Sequence, residues 1–156
     1  MKKVIALLLV YSVFLNATHA QTAAKAAYVE IGGPGLASAN FDMRFANKED
    51  GLGFRVGVGA FPVNSVTVVT VPVGLNYLIG KSKKNYFEVG AGFTYLNISA
   101  KHNGNSKNFT SSFGNITVGY RYAPAKGGFF FKAELTPIFG NGFFLPFGGL
   151  GFGYKF

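Results

Sequence analysis

The chain ends in Leu150-Gly151-Phe152-Gly153-Tyr154-Lys155-Phe156, and this stretch decides the fold. A bulky apolar residue stands at every even position and a glycine or lysine at every odd one. Successive side chains of a strand point to opposite faces, so Leu150, Phe152, Tyr154 and Phe156 form one surface.

The same period recurs upstream. Ala37, Ala39, Phe41, Met43 and Phe45 oppose Ser38, Asn40, Asp42 and Arg44. Leu52, Phe54, Val56 and Val58 oppose Gly53, Arg55, Gly57 and Gly59. Phe87, Val89, Ala91, Phe93 and Tyr95 oppose Glu88, Gly90, Gly92 and Thr94; Ile116, Val118, Tyr120 and Tyr122 oppose Asn115, Thr117, Gly119 and Arg121. The pattern predicts eight strands, over about 26–33, 36–46, 51–61, 66–80, 85–98, 111–122, 128–139 and 144–156. Pro72, Pro137 and Pro146 fall inside three of these runs. A closed sheet has no edge on which to hide a missing N–H, so each predicts a bulge or a strand end.

Residues 1–20 read as a cleaved signal peptide. Lys2 and Lys3 precede an apolar run from Val4 to Leu15, and the small residues Ala17, Thr18 and Ala20 suit cleavage before Gln21. The run is short of the roughly 20 residues of a spanning helix. Residues 21–25 then form a tether and 26–156 a single domain. The chain has no Cys, so burial and backbone pairing must stabilise it without disulfides. Charged residues are only 13 % of the chain, against 18 Phe and 22 Gly. The net charge of +9 loses two units with Lys2 and Lys3. The remaining lysines are spread over turns instead of gathered in one patch, which argues against nucleic acid as a partner.

Alternation alone leaves two barrels open: one with apolar side chains outward, in lipid, and a soluble lipocalin-like one with them inward. Three features favour the first. The polar face is dominated by Gly, which suits the narrow lumen of an eight-stranded barrel. The apolar face is too bulky to pack inside one. Its rings Phe45, Phe54, Tyr77, Phe87, Tyr120, Tyr122, Phe129, Tyr154 and Phe156 lie near one set of turns, as an interfacial girdle would. The expected fold is therefore all-β: an eight-stranded antiparallel up-and-down transmembrane β-barrel. An even strand number puts both termini in the periplasm. Lys48–Asp50, Lys81–Lys84 and Ala123–Gly127 are then periplasmic turns, and Pro34–Gly35, Pro62–Ser65, Lys101–Thr110 and Gly140–Phe143 lie outside. Of these, only 101–110 reads as a long loop.

The signal peptide, the eight runs and the terminal Phe156 together resemble the small outer-membrane β-barrels of the OmpA/OmpX type found in the Gram-negative cell envelope. The resemblance is architectural and covers the whole mature chain. It implies that Leu150, Phe152, Tyr154 and Phe156 form the signal read by the barrel-assembly machinery. No peptidoglycan-binding domain follows the barrel, so a wall-anchoring role does not carry over.

Parity places Glu30, Asp42, Arg44, Arg55, Glu88, Arg121, Lys132, Glu134 and Lys155 inside the lumen, in its periplasmic half. Unpaired buried charges cost several kcal/mol each, so these should pair into a salt-bridge plug. The readiest pairs are Asp42 with Arg55, Lys132 with Glu134, and Lys155 with Glu30. A gated ion path or a catalytic carboxylate is the sharper alternative. Catalysis lacks a triad: His102 lies beside Ser106, Ser111 and Ser112, but no outer loop holds an orienting carboxylate. One mature His without Cys is no metal-ligand set. The Gly-rich strings at 32–35 and 148–153 precede no helix, so they cradle no phosphate and imply no cofactor.

Three functions remain on this reading: a structural or surface-interaction protein of the envelope, with outer-membrane lipid around it and an unidentified ligand at the 101–110 loop; a transport barrel for small solutes or a hydrophobic ligand; and a soluble periplasmic carrier. Lys48, Lys81, Lys83, Lys84 and Lys126 could touch anionic lipid heads.

Overall fold

The alternating runs are strands. The computed structural model describes residues 23–63, 66–102, 105–140 and 142–156. They form β1 (Lys25–Gly32), β2 (Ala37–Arg44), β3 (Gly51–Val63), β4 (Val66–Ile79), β5 (Asn85–His102), β6 (Asn105–Tyr122), β7 (Gly128–Leu135), β8 (Ile138–Gly140), β9 (Phe143–Leu145) and β10 (Gly148–Lys155). Residues 1–20 and the first part of the tether lie outside the described residues; Lys25, assigned to the tether above, already belongs to β1. Strands adjacent in sequence pair from β1 to β7. β10 then pairs with β7 and returns to β1, through Val29↔Phe152 and Ala27↔Tyr154, which closes the sheet. Since β7 with β8, and β9 with β10, are halves of one strand each, the barrel is eight-stranded and antiparallel. Closure pairs the edge N–H and C=O groups that lipid could not satisfy.

The prolines act in two ways. β7 stops before Pro137 and β9 before Pro146, yet the register survives both breaks. Leu135 faces Gly148 on one side and Ile138 faces Leu145 on the other, with Thr136 N–H donating to Phe147 O at 2.7 Å between them. That register sets Pro137 opposite Pro146. Toward β6, Pro137 accepts from Ile116 N–H at 3.3 Å and cannot return the bond, so one ladder bond is lost. Pro72 makes neither the expected bulge nor a strand end. The β4–β5 ladder runs unbroken through Pro72↔Thr94. The β3–β4 ladder skips the pairs between Val56↔Val73 and Gly59↔Thr70 and resumes in the same register. The gap falls on the β3 side, and no residue is inserted.

The outer surface is apolar. Val29, Ile31, Leu75, Phe87, Phe93, Ile116, Leu150 and Phe152 are all exposed on it, and the rings Phe45, Tyr77, Tyr120, Phe129, Tyr154 and Phe156 share that face. Such a surface is built for hydrocarbon. The charged and Gly-rich face looks inward.

Two outer connections differ from the sequence reading. Apart from 103–104, which lie outside the described residues, the stretch 101–110 is strand instead of loop: β5 and β6 pair without a break from Asn85↔Tyr122 to His102↔Asn105. Polar side chains that read as loop instead form cross-strand pairs, such as Asn97 Nδ2 donating to Thr110 Oγ1 at 3.0 Å. Pro34–Gly35 does not stand outside. Gly33, Pro34 and Gly35 are buried, because the chain leaves the wall after β1 and folds into the lumen.

Candidate functional site in the barrel lumen

Strand parity delivers the inward residues, and the narrow lumen forces them together. Glu30, Asp42, Arg44, Arg55, Glu88, Arg121, Lys132, Glu134 and Lys155 are all buried. All but Lys155 form a chain of alternating sign. Arg44 donates to Asp42 at 2.5 Å. Arg121 donates to both oxygens of Asp42, at 2.8 and 3.0 Å, and to both oxygens of Glu88, at 2.8 Å each. Glu88 lies 3.3 Å from Lys132, which also meets Glu134 at 2.5 Å and Glu30 at 4.0 Å. Arg55 closes the far end, 3.1 Å from Glu30 and 3.5 Å from Glu134.

Two expected pairs are absent. Asp42 and Arg55 face each other in the β2–β3 register, but their side chains part. Arg44 and Arg121 already occupy the Asp42 carboxylate, and Asn76 Nδ2 adds a third donor at 2.5 Å. Arg55 turns to Glu30 and Glu134, whose carboxylates share only Lys132 otherwise. Lys155 does not reach Glu30, because the β1–β10 register sets it beside Ala26, four residues away. It pairs with Glu49 of the β2–β3 turn at 2.5 Å and donates to the carbonyls of Pro124 and Ala125 at 3.0 and 3.2 Å. Lys155 thus ties the C-terminal end of β10 to two turns.

Uncharged partners complete the network. Asn76 bridges Asp42 and Glu88 and accepts from Arg44. Tyr28 and Phe130 stack at 4.7 Å; Arg121 lies over the Phe130 ring at 5.2 Å, and Lys132 over Tyr28 at 5.7 Å. These three residues escaped the charge-based reading, although parity marks them: Tyr28 precedes Glu30 by two, and Phe130 precedes Lys132 by two.

The inward turn lies above this network. Thr94 Oγ1 donates to Pro34 O at 2.8 Å, and Thr70 Oγ1 to Gly35 O at 2.7 Å. Gly33 N–H donates to Gly148 O at 3.0 Å. Gly33 has φ +64°, and a Cβ there would collide with the Glu30 and Glu134 carboxyls. Glycine is therefore required for the chain to turn inward over the charges. Below the turn, two described voids of about 10 Å³ each, one lined by Arg44, Asp42 and Arg121 and the other by Arg55, Asn76 and Glu88, have room for one water at most.

The C-terminal residues Leu150, Phe152, Tyr154 and Phe156 lie exposed on the outer wall. Ser111 is half-buried and Ser112 exposed on β6, while the side chains of His102 and Ser106 lie outside the described residues.

No family model matches the chain, and no curated protein does. Solved structures do. The N-terminal β-barrel domain of Pseudomonas aeruginosa OprF is 19 % identical with a TM-score of 0.64, over 85 % of this chain and 96 % of that one. The fold is that of the small outer-membrane barrels. Neisserial surface protein A (13 % identity, TM-score 0.53, 87 % and 95 % coverage) and the Yersinia pestis outer membrane protein Ail (13 %, 0.53, 86 % and 99 %) share it. At these identities the likeness extends to the barrel alone. The ion network within this barrel stands on its own geometry.

Proposed function

We propose that the chain is an integral protein of a Gram-negative outer membrane with a structural or surface-interaction role in the envelope, and that its lumen does not conduct. The filled lumen carries this reading: four buried cations (Arg44, Arg55, Arg121, Lys132) meet four buried carboxylates (Glu30, Asp42, Glu88, Glu134), and the Gly33–Gly35 turn lies over them. A balanced, mutually bonded network leaves no charge for a passing ion to replace cheaply. Similar folds belong to Neisserial surface protein A and the Yersinia pestis attachment invasion locus protein, which supports a role at the cell surface. The barrel-assembly machinery would read Leu150, Phe152, Tyr154 and Phe156, and lipid would surround the apolar wall, with Lys48, Lys81, Lys83, Lys84 and Lys126 near its periplasmic headgroups.

Two measurements test this. The mature protein, refolded and inserted in planar bilayers, should show no conductance above the bare membrane; steady channels would overturn the closed-lumen reading. In cells, loss of Phe156 should lower the fraction that migrates as a heat-modifiable folded band while leaving refolding in vitro intact. Unchanged assembly in cells would remove the assembly-signal role.

A further inference from the structure

Over most of the barrel the lumen side is polar and the lipid side apolar. On the β5–β6 hairpin beyond Thr94 this assignment reverses. The register is unbroken along the whole hairpin, so parity cannot have slipped. On the side continuous with the lipid face stand Asn97, Ser99, Asn108, Thr110 and Ser112, and Ser99 Oγ donates to Asn97 Oδ1 at 3.2 Å. On the side continuous with the lumen stand Leu96, Ile98 and Phe109, with Ser111 opposite Leu96 and Phe113 opposite Thr94. A polar face of this kind belongs in water, so this part of the hairpin rises above the bilayer and turns its apolar side over the barrel mouth.

That apolar side is one continuous row. The strand registers set Phe61 beside Val68, Val68 beside Ile98, and Ile98 beside Phe109. Phe113 and Ile138, both buried, continue the apolar lining toward the seventh strand, while Phe109 stays 60 % exposed. The Gly33–Gly35 turn, held by Thr70 and Thr94, closes the floor. Charge at this end has one sign. The six side-chain carboxylates of the chain are Glu30, Asp42, Glu49, Asp50, Glu88 and Glu134, all in the lumen network or the β2–β3 turn. Lys107, two residues from Phe109 on the same side, is exposed beside the row.

We propose that the outer mouth is a binding site for an anionic amphiphile of the long-chain carboxylate class. Its aliphatic chain lies along Phe61, Val68, Leu96, Ile98 and Phe109, and its carboxylate meets the Lys107 ammonium. The closed floor makes this a site of capture and not of passage through the lumen. An apolar row with a cationic edge and no nearby carboxylate favours an acid over a neutral chain or an amine. The inference rests on the outer-membrane orientation proposed above.

The mature protein in phosphatidylcholine nanodiscs, titrated with a dansyl-labelled undecanoate, tests it. Saturable fluorescence enhancement, beyond that of empty nanodiscs and displaced by oleate, is expected. The double substitution Ile98→Asn with Phe109→Asn should weaken binding about tenfold or more. Lys107→Glu, at an exposed position, should weaken the acid severalfold and leave the matching alcohol unaffected. Enhancement no greater than in empty nanodiscs would overturn the proposal, as would equal binding by the variants. So would light scattering that shows two copies per disc becoming one in the double variant, since a second copy would then cover the row. Heat-modifiable migration of the same samples reports the barrel separately: loss of binding with the heat shift retained tests the mouth, while loss of the shift in the parent protein would count against the barrel reading instead.

Discussion

Arg121→Met is the sharpest test of the lumen network. The guanidinium is 2 % exposed and donates to both oxygens of Asp42 and both of Glu88. Methionine roughly keeps the volume over the Phe130 ring but removes the charge. Asp42 would keep Arg44 and Asn76, and Glu88 would keep Lys132 and Asn76, so neither carboxylate is stranded. Removing one partner of a fully isolated buried pair costs about 3–5 kcal/mol, and the surviving partners place this variant near the lower end, at about 3 kcal/mol. Glu88→Gln removes the opposite charge. Because the two groups are in direct contact, the double variant should be less destabilised than the sum of the singles by about 1–3 kcal/mol. Urea unfolding of the protein refolded into phospholipid vesicles, followed by the heat-modifiable gel band, gives all three free energies. A single-variant cost below about 0.5 kcal/mol, the level of an ordinary surface change, would refute the reasoning, and so would strict additivity.

Other expectations follow from the same geometry. Lys155→Gln breaks a pair whose Glu49 partner is partly solvated and should cost about 1 kcal/mol or less, whereas Arg55→Gln, deep between Glu30 and Glu134, should cost several times more in the same assay. Phe93→Arg, on the lipid face, should cost about 2–4 kcal/mol, while Asn97→Arg, four residues along the same side of β5, should be near neutral because it stands above the bilayer; equal costs would misplace the membrane boundary. Gly33→Val forces a branched side chain into a left-handed backbone against Glu30, at about 1–3 kcal/mol of strain, and should displace the inward turn, read as faster proteolysis at that turn. Thr70→Val with Thr94→Val leaves the buried Gly35 and Pro34 carbonyls without these donors and should destabilise by about 1–3 kcal/mol per site.

The sequence by itself determined the strand number, the antiparallel order and the two faces of each strand. Those properties are local: period two is set by backbone geometry, and the contrast between Phe93 and Glu88, or between Leu150 and Lys155, sorts lipid from lumen. It also showed that charge would collect inside, though Tyr28, Asn76 and Phe130 were hidden among unremarkable neighbours. Only the tertiary structure decided who meets whom. Asp42 and Arg121 are 79 residues apart and touch because the sheet closes on itself, while Arg55, directly across from Asp42, turns away because that carboxylate is already filled. Closure likewise explains the inward turn at Gly33, whose bonds run to Thr70, Thr94 and Gly148 on distant strands. The 101–110 stretch read as loop because every residue in it except Phe109 is polar or glycine. Pairing across β5 and β6 made 101–102 and 105–110 strand, and set Ile98 beside Phe109.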